Sequence, residues 1–357
     1  MTSKSFFVRT AGILMLILIC LLFLEGAGQI LFRIRYDFWL FRQENAYLAL
    51  FRKNPYLVAE GKPNAHFTSR SGISFSHNEF GARSLPVARE KQPGKKRILL
   101  FGGSSTYCVG VSDQETWSFY LQKDLGGDFE VVNFGIPGYT TVEHVIQTAL
   151  NLTDLSPDIV IYYIGWNDLR NVHVAKLRSD YADFHGKSQY THLMLNAYKL
   201  GNRSVLVHTV GNLLRKIFVH DPEGVYTVSG DADQYTARVD ARALSLYERN
   251  IRMIIALCRA QGVRPVFIPQ ILNNEQLAGD RPYGWMPFIR EKDMKDLIVV
   301  YNDALIKICR EEKVDCINAV LQEPYSQKYF VDHLGHFSAY GNERFSRIIA
   351  AYLRDHL

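Results

Sequence analysis

Cysteine is scarce in this chain, with five in 357 residues. None forms a Cys-x-x-Cys pair, which removes zinc-finger and thioredoxin-type chemistry from consideration. Cys258 and Cys309 fall on apolar positions of predicted helices and read as buried thiols. Charge of one sign is also missing as a block, since the net charge of +5 is spread along the chain. No Lys/Arg run alternates with aromatics, so no nucleic-acid partner is expected. The glycines lack the spacing of a dinucleotide turn, and no P-loop lysine follows Gly102-Gly103. There is no internal repeat and no low-complexity tract. Beyond His333, His336 and Asp332 no His/Cys cluster has metal-ligand spacing, so no metal is expected.

What remains is an ordinary globular composition, 47% hydrophobic and 22% charged, ample for a large core. One long apolar run stands at the amino terminus. Ala11 to Leu24 is apolar apart from Gly12, with Lys4 and Arg9 before it. Glu25 interrupts, and Gly26 to Phe32 is again mostly apolar before Arg33 and Arg35. Extended to Phe32, the run reaches the ~20 residues that a spanning helix needs. Signal anchor, cleaved signal peptide and buried core helix compete here. The anchor is preferred: a helix apolar on every side at a terminus is seldom a core element, and no Ala-x-Ala site follows. Positive charge flanks both ends, so charge does not set the orientation. The favoured arrangement keeps the amino terminus inside and the remaining chain extracytoplasmic.

The chain then divides into a membrane anchor at 1–35, a lead-in at 36–96 broken by prolines, and a domain at 97–357. In that domain strands and helices alternate. Strands are expected at Arg97–Phe101, Glu130–Phe134, Asp158–Ile164, Val263–Pro269 and Val314–Ile317. Helices are expected at Glu115–Asp124, Thr141–Asp154, Ala241–Ala260, Glu291–Glu311 and Ser338–Leu353. Asn273–Phe288 reads as a loop. The region at about 172–240 is irregular and reads as an insertion or cap, with a helical piece near Leu193–Ile217 placed to line the site. Strands separated by helices predict a parallel sheet covered on both faces, with ligands at the carboxyl ends of its strands.

Those carboxyl ends carry the chemistry-bearing residues. Arg97–Phe101 leads into Gly102-Gly103-Ser104, a strand ending in two glycines and a serine. A serine hydroxyl needs a base to take its proton, and the base needs a third group to orient it. The oxyanion that develops needs donors set in place beforehand. Ser104 is the candidate nucleophile. Gly135, after the second strand, lacks a side chain and exposes its N–H. Asn167, after the third, has an amide that can donate to the same oxyanion, as can the Ser104 N–H. His336, just before the last helix and beside Asp332, is the candidate base.

Four blocks now stand in order: Phe101-Gly102-Gly103-Ser104, Asn133-Phe134-Gly135-Ile136-Pro137-Gly138-Tyr139, Gly165-Trp166-Asn167-Asp168, and the Asp332/His336 segment. In these the chain resembles the SGNH/GDSL hydrolase superfamily over roughly Arg97 to the end, the 172–240 region excepted. His77-Asn78-Glu79-Phe80-Gly81-Ala82-Arg83 also resembles a segment preceding the domain in membrane-anchored bacterial members. The resemblance implies an α/β fold, a three-layer α/β/α sandwich around a flavodoxin-like, doubly wound parallel sheet. It implies ester hydrolysis or acyl transfer with no metal or organic cofactor.

Two departures from the family pattern are present. Gly103 stands where the first block often has Asp. The family places its Asp three residues before the catalytic His, whereas Asp332 lies four before His336. Three arrangements stay open: Asp332 orients His336 across the extra residue, His333 acts with another carboxylate, or a serine–histidine dyad uses a backbone carbonyl. The expected function is a membrane-anchored serine esterase acting on acyl esters, O-acetyl groups foremost, of an extracytoplasmic glycan. An O-acyltransferase or lipid esterase would use the same residues. A catalytically silent binding or assembly component of an envelope polysaccharide system would keep the fold, and the displaced Asp332 favours it. The expected partners are the acylated glycan or lipid ester and the membrane. Oligomeric state is not set by any motif.

Overall fold

A computed structural model describes the chain except residues 1–2, 38, 43–44, 173, 175–176, 187–188, 190–202, 219–235, 274–288, 320–325, 333–334 and 357. Two compact units result, Met1–Leu48 with Thr191–Pro222, and Ala49–Tyr190 with Glu223–Leu357. The chain opens with α1 (Ser3–Tyr36), followed by α2 (Ala46–Leu50). The lead-in, expected to be polar and aromatic with proline breakers, folds into two antiparallel hairpins. These are β1 (Phe51–Asn54) with β2 (Val58–Gly61), and β3 (His66–Thr68) with β4 (Ser74–Ser76).

The main sheet begins with β5 (Lys96–Gly102), which runs into the short α3 (Ser104–Tyr107). Then come α4 (Trp117–Leu125), β6 (Phe129–Asn133), α5 (Thr141–Leu155) and β7 (Ile159–Tyr163). In the expected insertion the longest described element is α6 (Val205–Phe218), which falls in the same unit as α1. The start of the predicted helical piece, 193–202, lies outside the described residues, as does most of the predicted loop after Asn273. The chain closes with α7 (Ala241–Ala260), β8 (Arg264–Ile268), α8 (Glu291–Glu312), β9 (Asp315–Cys316) and α9 (Ala339–His356).

All five sheet strands are parallel, in the order β6-β5-β7-β8-β9. Counted from β5 this is the 2-1-3-4-5 order of flavodoxin-like folds, whose ligands sit where the order reverses, between the first and third strands. The three-layer α/β/α sandwich is therefore present. Its core follows the two-residue period of a strand. Leu99, Phe101, Val132, Val160, Tyr162 and Phe267 point to one face and pack with α5, α7 and α8. Ile98, Leu100, Val131, Ile159, Ile161 and Tyr163 point to the other and pack with α4 and α9. Both faces are apolar, so the strands read as unbroken hydrophobic runs.

Helix ends are specified locally. Thr140 and Glu143 form a capping box on α5, and Ser156 ends that helix in the left-handed region at φ 44° before Pro157. Asp240 caps α7 by accepting from the N–H groups of Arg242 and Ala243. The predicted helix at Glu115 starts two residues later. Asp113–Glu115 forms a 3-10 turn, and Thr116 then caps α4.

Charged residues are buried in this architecture too, Arg97 and Glu130 among them. Arg97 on β5 is fully buried and pairs with Glu130 at 2.8 Å. Its guanidinium also donates to the carbonyls of Ala88, Arg89 and Leu155. Removing one partner of a buried pair leaves the other charge unanswered, which costs about 3–5 kcal/mol. Arg97→Met is expected to lower unfolding stability by that order in urea denaturation of the full chain. Arg97→Met with Glu130→Leu is expected to recover part of the loss. Equal stability of Arg97→Met and the parent chain would refute the assignment.

Candidate active site

Ser104 begins α3 directly after β5, and Asn167 begins the 3-10 helix Asn167–Asn171 after β7. β5 and β7 are adjacent in the sheet, so the two residues flank the point where strand order reverses. α9 starts at Ala339, three residues past His336. The fold thus gathers the candidate residues at the carboxyl edge of the sheet.

His336 Nε2 lies 2.7 Å from Ser104 Oγ. His336 Nδ1 lies 2.5 Å from Asp332 Oδ2, and Asp332 Oδ1 accepts the His336 backbone N–H at 3.2 Å. With Nδ1–H given to the carboxylate, Nε2 is left as the acceptor for the serine proton. The described residues on either side of 333–334 are drawn together. Val331 N–H donates to the His336 carbonyl, Phe330 pairs with Phe337, and Gly335 takes φ 85°. Asn273, which sequence reasoning did not single out, donates from Nδ2 to the Asp332 carbonyl at 3.1 Å. His333 lies outside the described residues.

Asn167 is buried, and its Nδ2 donates to the Tyr139 carbonyl at 2.8 Å. An amide nitrogen carries two hydrogens, so a second donor remains. That nitrogen rests against Gly103, where a Cβ would lie only 2.4 Å from it. The departure at Gly103 therefore has a steric reason in this chain. The Ser104 N–H, in the first turn of α3, bonds no acceptor among the described residues.

Gly135 requires a correction. Its N–H, expected to face the oxyanion, donates instead to Asn133 Oδ1 at 2.9 Å. A Cβ there would stand 2.5 Å from the Tyr107 nitrogen, so this glycine lets the segment pack tightly on α3. In the same block Gly138 has a different environment. The Tyr139 N–H donates to the Ile136 carbonyl, with Pro137 and Gly138 between them and Gly138 at φ 85°. That is the pattern of a type II turn. The Gly138 N–H bonds no acceptor among the described residues. Pro-Gly at the centre of the block was the available signal.

Around Ser104 the described residues form a small cleft, bounded by Tyr139, Tyr163, Gly165, Trp166, Asn167 and Gln270. The Tyr163 hydroxyl accepts the Ile271 N–H, and Asn302 clasps the Gln270 backbone from both sides. Neither Tyr163 nor Gln270 carries a sequence signal beyond its place at a strand end. No group of three or more His, Cys, Asp or Glu suited to a metal occurs among the described residues.

The chain is similar to known hydrolases as well as to their fold. Two solved structures illustrate the likeness. A lipase/acylhydrolase from Enterococcus faecalis is 14% identical, over 73% of this chain and 97% of that one, with a TM-score of 0.43. An acetyl xylan esterase is 12% identical, over 72% and 98%, with a TM-score of 0.41. No curated protein sequence matches the chain. A serine next to an imidazole at the switch point of such a sheet is the frame of an α/β serine ester hydrolase. The profile of the GDSL-like Lipase/Acylhydrolase family matches residues 100–344, and the chain belongs to that family.

A second buried network backs the Asn167 turn. Asp168 accepts from the Thr141 N–H and, at 2.6 Å, from Thr141 Oγ, while Asn250 donates to Thr141 Oγ at 2.9 Å. Burial pushes the Asp168 carboxyl up to about 7 against the pull of those bonds. Burial would also raise Glu143, but His185 beside it and the bonds from Thr140 hold it down to about 2. The signs separate the two groups. An unfolded Asp ionises near pH ~4, whereas folded Asp168 keeps its proton up to about 7. The folded state then holds more protons across that window, so stability falls as pH rises from ~4 to ~7. Glu143 acts only below its unfolded value, where stability is lost on acidification. Asp168→Asn is expected to flatten the fall between pH ~4 and ~7 in denaturant melts. An unchanged slope would remove Asp168 as its source.

Proposed function

We propose that Ser104 is the nucleophile of this hydrolase, His336 its general base and acid, and Asp332 the group that orients the imidazole. The observation that carries this reading is the continuous relay, 2.7 Å from Ser104 Oγ to His336 Nε2 and 2.5 Å from Nδ1 to Asp332. Ser104 Oγ bonds to the acyl carbon as its proton passes to Nε2. The carbonyl electron pair moves onto oxygen, where the N–H of Ser104, the Asn167 amide and the Gly138 N–H receive it. Collapse breaks the bond to the alcohol, which leaves with the proton from Nε2. Water then repeats the cycle on the acyl-enzyme and releases the acid.

The substrate proposed is a short acyl ester, an O-acetyl group on an extracytoplasmic glycan. The small cleft at Ser104 supports a short acyl chain. The apolar helix spanning Phe7–Tyr36, long enough to cross a membrane, supports anchoring. A silent binding role loses its main support, because Asp332 reaches the imidazole despite its offset.

Fluorophosphonate should label the parent chain and not Ser104→Ala. With 4-nitrophenyl acetate, Ser104→Ala and His336→Ala are expected to lose about 10⁴-fold or more in kcat/KM. Asp332→Asn should fall by a similar order through kcat, with KM little changed. Full rates in both Ser104→Ala and His336→Ala would end the assignment. The rate should also drop from acetate to octanoate esters, and acetylated glycans should release acetate. Preference for octanoate would transfer the reading to a lipid esterase. Digestion of the domain by protease added outside intact cells would support the extracytoplasmic placement, and protection would overturn it.

A further inference from the structure

In α1 the segment between Arg9 and Arg33 carries one charge, Glu25. At 1.5 Å per residue that segment is about 35 Å long, close to the ~30 Å hydrocarbon core of a bilayer. A carboxylate there is costly unless it has partners. Glu25 has four. It accepts from the N–H groups of Val205 and Leu206 at 3.0 and 2.9 Å, from Ser204 Oγ at 2.8 Å and from Gln29 Nε2 at 2.7 Å. Gln29 also donates to the Arg203 carbonyl at 2.9 Å, and Val205 packs on Gly28. Glu25 is thus the anion at the amino terminus of α6, favoured there by the helix dipole.

These bonds set the level at which α6 leaves α1. Arg33 follows Glu25 by eight residues, about 12 Å along the helix axis. With Arg33 and Arg35 at the headgroups, α6 starts just beneath them. Helices lying in a membrane surface bury their apolar face ~5–10 Å into the same zone. α6 has such a face. Val207, Val210 and Leu213, three residues apart on one side, are 39%, 45% and 58% exposed. His208 lies on the other side. On α1, Ile30, Leu31 and Ile34 are exposed as well.

We infer that α6 is an in-plane membrane helix, seated at the acyl–headgroup boundary of the bilayer that α1 crosses and fixed there by Glu25. The occupant of its apolar face is lipid. This rests on the anchor reading, and two labelled positions separate the failure of one from the failure of the other. Cys20 is exposed within α1 and takes a nitroxide directly. The second position is Leu213→Cys in a Cys20→Ser chain. Cys316→Ser is carried in both. The full chain is placed singly in phosphatidylcholine/phosphatidylglycerol nanodiscs, and collisions with oxygen and with a water-soluble nickel chelate are measured.

Both labels should meet oxygen freely. Nickel accessibility at 213 should be about tenfold below that of a label at exposed Lys295→Cys, with 213 shallower than 20. Glu25→Leu, which keeps α1 apolar, should raise the mobility and nickel accessibility of the label at 213. Lipid contact at 20 with free nickel access at 213 overturns the inference and leaves the anchor standing. Nickel access at both sites overturns the anchor as well. Shielding of 213 from oxygen and nickel together means that protein covers the face, and overturns lipid as its occupant.

Discussion

Ser104, the candidate nucleophile, stands on a helix of four residues, too short to hold itself together, and a buried guanidinium secures it. Arg83 is 2% exposed. Its five N–H groups all find acceptors. Nε reaches Asp113 at 2.9 Å, one terminal nitrogen takes the carbonyls of Tyr107 and Cys108, and the other those of Ser74 and Val111. The carbonyls that end α3 would otherwise be orphans in a buried place, each costing about 1–3 kcal/mol. The guanidinium also lies over the rings of Phe75 and Tyr107, at 4.3 and 5.1 Å. Asn133 adds a bond to the Thr106 carbonyl at 2.7 Å. The lead-in therefore backs the candidate site, because Arg83, seven residues past β4, completes the end of α3.

The sheet does the remaining positioning. Each candidate residue follows a strand or precedes a helix, so its backbone is tied to a rigid element on at least one side. Placement at the reversal of strand order leaves a gap above β5 and β7 that no crossover helix covers. Asn167 enters that gap from β7 and Ser104 from β5. The network of Asp168, Thr141 and Asn250 then joins the Asn167 turn to the start of α5 and to α7. Rigidity matters here, since oxyanion donors are effective only when no reorganisation is needed at the moment of reaction.

Periodicity and punctuation made the sheet and its helices legible. Strands buried on both faces leave unbroken apolar runs, and Ala241–Ala260 declares its limits through Asp240 and an amphipathic stripe. Ser104, Asn167 and His336 were legible because each lies in a short block beside a strand end or a helix start. What escaped depends on contacts distant in sequence. Arg83 finds Val111, and Asn273 finds Asp332, through tertiary packing that leaves no local spacing signal. Gly135 was misjudged for a related reason. A glycine in a buried turn signals either an exposed N–H or a close backbone approach, and only the neighbours, Asn133 and Tyr107, decide between them.

The offset of Asp332 shows how a turn can stand in for a sequence rule. What the imidazole requires is a carboxylate oxygen near Nδ1 and a ring held toward the serine, and neither demand fixes a residue count. Here the segment doubles back, so that the Val331 N–H meets the His336 carbonyl and Phe330 pairs with Phe337. Gly335 takes the left-handed conformation that such a reversal needs. Asp332 then engages His336 twice, through the ring and through the backbone N–H. Two bonds between the same pair limit rotation of the carboxylate more than one would, and the Asn273 bond to the Asp332 carbonyl holds its backbone as well.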